Sequence, residues 1–267
     1  MTNLKIPKDF KLNRITPSMI SSYLSCPLAF YYSYVAKLRL PQPQIHLVFG
    51  SAIHKALEYI YDETTDPVEI FKKAFKKTSL GQDEQHLYKE YFELGIEMVT
   101  NYIAIHPTLN KLYKLSEGTA EKYVKRYLIN PITGQQSSIP MSGILDRLTN
   151  AGKIIEYKTS KNKWKEDETR FKVQYLMYNL WYYSEHNKLA DETLFFILLK
   201  KYKSHKRDQV LQVLSANVTH ADLAEVFDEV ELIINKIHSG IFERPNNTYH
   251  PPYCDCFKYE KMLKNNN

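Results

Sequence analysis

Three observations predict an α/β fold with a small mixed sheet flanked by helices and a helical N-terminal elaboration. Residues 17–105 carry mostly helical periodicity broken by short loops. Residues 121–158 then switch to three short apolar segments of strand character. After them a long helical stretch separates further strand candidates, and a hydrophobic content of 43% over 267 residues supports a real core.

The elements follow in order. Thr16 before Pro17 is a cap residue with proline at the first helical position, and it opens a helix over 17–34 that Cys26 and Pro27 interrupt. Residues 37–47 hold Pro41 and Pro43 and read as a loop. Helices are predicted over 50–62, 66–78 and 84–105; in the last, Leu87, Tyr91, Leu94, Met98 and Tyr102 recur close to a helical period. Strands are predicted over 121–129, 139–148 and 153–158, with a turn at 130–134 between the first two. A long helix covers 166–187. Residues 193–199 are apolar on both faces and read as a buried strand. Residues 209–218 pair with them across a charged turn at 203–207, and 223–241 form an amphipathic helix. The tail, 246–267, reads as irregular at first and polar at its end. No repeat or low-complexity linker divides the chain. The expectation is a single domain over 1–267: mainly helical at 1–115, a sheet core at 116–220, and a C-terminal helix and tail at 221–267.

Composition narrows the function. No apolar run approaches the ~18 residues of a membrane span. The first ten residues are polar and lysine-bearing, which argues against a secretory signal. Three cysteines, an odd number, make no disulfide framework, so a reducing cytoplasmic setting is the default. A net charge of +6 fits a polyanionic partner. The 21 tyrosines read first as ordinary core and surface residues of a compositionally biased chain, with aromatic platforms for stacked bases as the alternative.

The chemistry concentrates in one hairpin. Asp146 ends one apolar strand, and Glu156 and Lys158 sit two apart on the next, after a turn at Asn150-Ala151-Gly152. Side chains at i and i+2 share a strand face, so Glu156 and Lys158 point the same way and the hairpin can bring Asp146 beside them. Paired carboxylates hold a hard divalent ion through oxygen, and a neighbouring ammonium can orient water and offset developing negative charge. These are the minimum parts for cutting a phosphodiester. The flanking Ile144, Leu145, Ile154 and Ile155 imply buried strands, where charge is costly without a metal or a partner.

Gly143-Ile144-Leu145-Asp146-Arg147 followed by Glu156-Tyr157-Lys158-Thr159 resembles the RecB-type branch of the PD-(D/E)XK nuclease superfamily. Three other segments match in the same order. Gly50 and His54 resemble the upstream G-x-x-x-H helix, Gln174 and Tyr178 the downstream Q-x-x-x-Y helix, and Ser22 to Phe30 the N-terminal segment that contains C-P. The resemblance spans residues 16–261. It implies a restriction-endonuclease-like core with Asp146, Glu156 and Lys158 as catalytic residues. It also implies His54, Asp146, Glu156 and the Tyr157 backbone carbonyl as metal ligands. Gln174, Tyr178 and Arg170, one turn upstream on a similar line, would contact substrate or position the lysine. Glu121, on the preceding strand, is a further candidate to face the site. The implied cofactor is Mg²⁺ or Mn²⁺, with the imidazole favouring Mn²⁺.

Many RecB-type nucleases carry one N-terminal and three C-terminal cysteines that hold an iron–sulfur cluster. This chain has Cys26, Cys254 and Cys256 only, with Met262 near the place of the fourth and His250 nearby. A four-thiolate iron–sulfur cluster cannot form from these cysteines, and the expectation is a lost cluster with the two ends still packed together. The implied activity is metal-dependent DNA cleavage, by an exonuclease acting on ends or single strands in recombination, repair or mobile-element processing. DNA is the implied partner, with a helicase or recombination machine as a further one and no membrane. The sequence has no Walker motif and hence no P-loop motor in this chain. Two alternatives remain open: a non-catalytic DNA-binding or assembly subunit of the same fold, and a nuclease acting on RNA.

Overall fold

The computed structural model describes residues 6–40, 44–165, 172–200, 210–244 and 254–265. α1 (Pro17–Ser25) starts as its cap predicts, with Thr16 Oγ1 accepting the Met19 backbone N–H at 3.1 Å. Cys26 is extended, and α2 (Pro27–Phe30) resumes the helix and runs into a π-turn at Tyr31–Val35. α3 is Ile45–Glu58, α4 Pro67–Ala74 and α5 Tyr88–Tyr113. The sheet follows with β1 (Gly118–Arg126), β2 (Met141–Thr149) and β3 (Lys153–Ser160). α6 (Lys172–His186) crosses over to β4 (Glu192–Leu199), and β5 (Leu211–Ala216), α7 (His220–His238) and α8 (Asp255–Asn265) complete the chain.

The five strands lie in sequence order. β3 and β4 are parallel, as a helical crossover requires, and the other neighbours are antiparallel. β4 shows why the sheet is buried on both sides. Its Phe195, Ile197 and Leu199 join a core under α1, α6 and α7, while Leu194, Phe196 and Leu198 join a second core under α3, α4 and α5. The molecule is therefore a mixed five-stranded sheet between two helical layers, the restriction-endonuclease-like arrangement.

Several boundaries differ from the sequence reading, four of them for a visible tertiary reason. α3 begins at Ile45 inside the expected loop, because Glu84 Oε2 accepts the Ile45 backbone N–H at 2.7 Å and supplies a cap from outside the helix. α5 continues through Pro107 to Tyr113, since Leu109 and Tyr113 still pack on the second core. β1 begins three residues earlier than expected, pairing from Gly118 with Thr149. The tail forms α8, a helix whose Cys256, Tyr259 and Met262 face the segment around Cys26. Among the described residues no helix is long and apolar enough to cross a membrane.

Candidate active site

The site sits where β2 and β3 separate. Their register pairs are Arg147 with Ile155 and Leu148 with Ile154, next to the turn. Beyond them the Asp146 side chain takes the place of a ladder bond, with its Oδ2 accepting the Tyr157 backbone N–H at 2.6 Å. Its Oδ1 lies 3.1 Å from His54 Nδ1, delivered by α3. The pair bridges the sheet and one helical layer.

Glu156 and Lys158 face the other layer, as strand alternation requires. Lys158 Nζ donates to Glu156 Oε2 at 3.2 Å and to Gln174 Oε1 of α6 at 2.8 Å. Gln174 Nε2 donates to Glu156 Oε2 at 2.9 Å and closes a three-membered network. Tyr157 turns to the opposite face, where its ring hydroxyl meets those of Tyr102 and Tyr61. Only its backbone remains toward the site.

Electrostatics separates the two carboxylates. Burial, then the Asp146 charge, pushes Glu156 well above the usual carboxylate range. Burial opposes ionisation of Asp146, but His54 and Lys158 outweigh it and hold its carboxyl below the usual range. Burial lowers His54, and the Asp146 charge more than offsets this, leaving the imidazole raised. Glu156 is 1% exposed, and its Oε1 has no hydrogen-bond partner among the described residues. An unpartnered buried carboxylate oxygen is costly unless something else binds it. With Asp146 and the His54 imidazole it supplies oxygen and nitrogen donors of the type that Mg²⁺ or Mn²⁺ takes, although as the side chains stand these three do not all come within 4.8 Å of one another.

Other motif residues are structural. A side chain at Gly143 would come 2.9 Å from Tyr178, whose hydroxyl donates to the Ile144 carbonyl at 2.7 Å. Tyr178 is 4% exposed, so it braces β2 instead of lining the cleft. Arg147 is buried and donates to the Leu115 and Ser116 carbonyls at 2.6 and 2.9 Å, with its guanidinium 3.4 Å over the Tyr61 ring. Gly50 lies inside α3, and a methyl there would meet Thr159 Oγ1 at an ordinary 3.7 Å, so close backbone approach is not its role. Arg170 and His250 lie outside the described residues.

A cleft of about 750 Å³ opens over the site, lined by His54, Asp146, Lys158 and Gln174 among others. Glu121 lines it too, in left-handed backbone at φ 48°, and burial followed by the Asp146 charge raises its carboxyl. Among the lining residues that escaped sequence reasoning are Glu58, Lys200 and His46. Glu58 is one turn after His54, a spacing that signals a shared helix face. Lys200 follows β4, where its backbone N–H bonds the Ser160 carbonyl at 2.8 Å and its ammonium lies 5.0 Å over the Phe49 ring. Burial lowers Lys200; His46 beside it is lowered by burial and then by the Lys200 charge. The signal for Lys200 is its place at the C-terminal end of a strand parallel to β3, where α/β sheets bind ligands.

The cleft where β2 and β3 diverge thus gathers two electrostatically distinct acids, a lysine and an imidazole on a restriction-endonuclease-like sheet. The family model of the PD-(D/E)XK nuclease superfamily matches residues 14–258, and the chain belongs to that superfamily. Among solved structures, the "Putative exonuclease" of Eubacterium rectale is 14% identical, over 96% of this chain and 93% of that one, with a TM-score of 0.57. At that identity the likeness speaks for the fold alone. SSO0001 is 13% identical over 82% of this chain and 85% of that one, and its TM-score of 0.32 carries no argument. No curated protein matches the chain.

Proposed function

We propose that this nuclease is a divalent-cation-dependent deoxyribonuclease of the RecB-type branch. It acts as an exonuclease on DNA ends or single strands, alone or within a larger recombination or repair machine. The observation that carries the reading is Lys158, held by Gln174 against buried Glu156 and beside the Asp146–His54 pair, at the floor of an open cleft.

Asp146, Glu156, His54 and the Tyr157 carbonyl would hold the cation. When bound, it polarises a phosphoryl oxygen and makes water a stronger nucleophile at neutral pH. Lys158 orients that water and offsets negative charge as the phosphorus–oxygen bond breaks. Gln174 fixes the lysine's direction, and Lys200 and His46 meet neighbouring phosphates of the strand. Water is consumed, and the products are one phosphate monoester and one hydroxyl end.

The test uses chelator-treated protein on 5′- and 3′-labelled single-stranded and duplex DNA, with Mg²⁺ or Mn²⁺ returned. Cation-dependent shortening from one labelled end is expected. Lys158→Ala should lose about 10²–10³-fold in rate and keep DNA binding. Cleavage by that variant at the parent rate would sink the mechanism. No cleavage with either cation, while salt-sensitive binding persists, would favour the non-catalytic DNA-binding subunit.

A further inference from the structure

Cys26 and the pair Cys254 and Cys256 come from opposite ends of the chain, yet their three sulfurs lie within 4.8 Å of one another. None is in a disulfide. Cys26 and Cys256 are buried and Cys254 is half-buried, in a small core with Leu28, Tyr32 and Tyr259. Cys26 Sγ already accepts the Ala29 backbone N–H at 3.4 Å. Arg244 pairs with Glu260 and lies 4.6 Å over the Phe257 ring. Its Nε is buried and has no hydrogen-bond partner among the described residues, and the electrostatics of Cys26 and Cys256 act on this guanidinium.

This geometry does not fit the iron–sulfur cluster of RecB-type relatives. In the four-cysteine clusters of those relatives each thiolate binds a different iron, so the cysteine sulfurs stand farther apart than ligands that share one ion. Thiolates on a single tetrahedral zinc, bonded at about 2.3 Å, sit about 3.8 Å from each other. Separations of at most 4.8 Å need only a small contraction to reach that value, and thiolates are soft ligands suited to zinc.

We propose that Cys26, Cys254 and Cys256 hold one zinc ion as three thiolate ligands, with water in the fourth position. Three zinc–sulfur bonds form as three thiol protons leave to solvent, and no electron is transferred. Three thiolates and Zn²⁺ carry one net negative charge, which the Arg244 guanidinium offsets while its free N–H gains a sulfur acceptor. The ion acts as a clasp between α2 and α8, on elements separate from those that supply the cleavage site.

The test measures metal in full-length protein expressed with added zinc and purified under reducing conditions without chelator. About one zinc per chain is expected, with neither iron nor inorganic sulfide. Replacement by Co²⁺ should give sulfur-to-metal charge-transfer absorption. Loss of a ligand in Cys254→Ser should weaken affinity beyond the about 10–100-fold cost of losing an outer partner. His54→Ala should keep the zinc. The proposal is overturned by stoichiometric iron and sulfide, or by a disulfide among the three cysteines. It also fails if the reduced protein takes up no zinc or Co²⁺, or if the ion is lost in His54→Ala and kept in Cys254→Ser. If Cys254→Ser does not fold, the Co²⁺ spectrum of the parent decides.

Discussion

Gln174 shows how much of the site depends on a residue that touches no reacting atom. It grips both Lys158 and Glu156, so Gln174→Ala frees the ammonium to swing away. The expected loss is up to about 10²-fold in kcat with KM little changed, as for a misplaced reacting group. Gln174→Glu, which keeps an acceptor for Lys158, should recover part of it. A KM effect alone would instead mark Gln174 as a substrate contact. Arg147 is the opposite case, a motif residue beside Asp146 that serves the fold. Arg147→Ala strands two backbone carbonyls and should cost about 3 kcal/mol in a denaturant titration. The protein that remains folded should keep its kcat. That Asp146, Glu156, Lys158 and His54 come together could be read from the sequence because strand alternation and motif spacing are local. The tasks of Tyr178 and Arg147 were hidden, since both depend on partners that only the folded sheet supplies. Lys200 and His46 were hidden for the same reason: the fold, not their spacing, puts both on the cleft, with Lys200 over the Phe49 ring.

At the scale of elements, α3 carries His54 and starts on a cap borrowed from Glu84. Glu84→Ala removes the acceptor of the Ile45 N–H and should lower stability by about 1 kcal/mol, the usual worth of a cap. Faster amide hydrogen exchange at residues 45–48 would mark the frayed turn. Unchanged exchange there would show the cap to be dispensable. The strands themselves were legible. The two-faced apolar run at 193–199 became β4, buried on both sides, and the hairpin of β2 and β3 formed at the expected turn. Helix ends were less legible, because Glu84 capping α3 and the second core holding α5 past Pro107 are long-range facts. The tail reads as polar because α8 spends only one face on the Cys26 core.

For the whole molecule, the buried charges link stability to pH. Glu156 is raised in the folded state, so its contribution is full below its unfolded pKa of about 4.3 and is lost as pH rises through the raised value. His54 is also raised; its contribution is full below about 6.5 and is lost as pH rises through its folded value. Asp146 runs the other way, being depressed, and its contribution is lost only as pH falls through the depressed value. Cation-free protein should therefore show a Tm that declines from about pH 6 to about pH 9. Saturating Mg²⁺ or Mn²⁺ should flatten the decline, because bound cation favours the ionised carboxylate and the neutral imidazole. A cation-free Tm that rises across this window would contradict the charge assignment.

The apolarity of β4 on both faces also bears on biosynthesis. As the chain leaves the ribosome, β3 is available to one edge of β4, while the other edge waits for β5. In that interval Phe195, Phe196, Ile197, Leu198 and Leu199 present an uncharged, proline-free strand of high β-propensity, the kind of segment that seeds aggregation. A chain truncated before Leu211 should therefore collect in inclusion bodies, or on chaperones, more readily than the full-length protein.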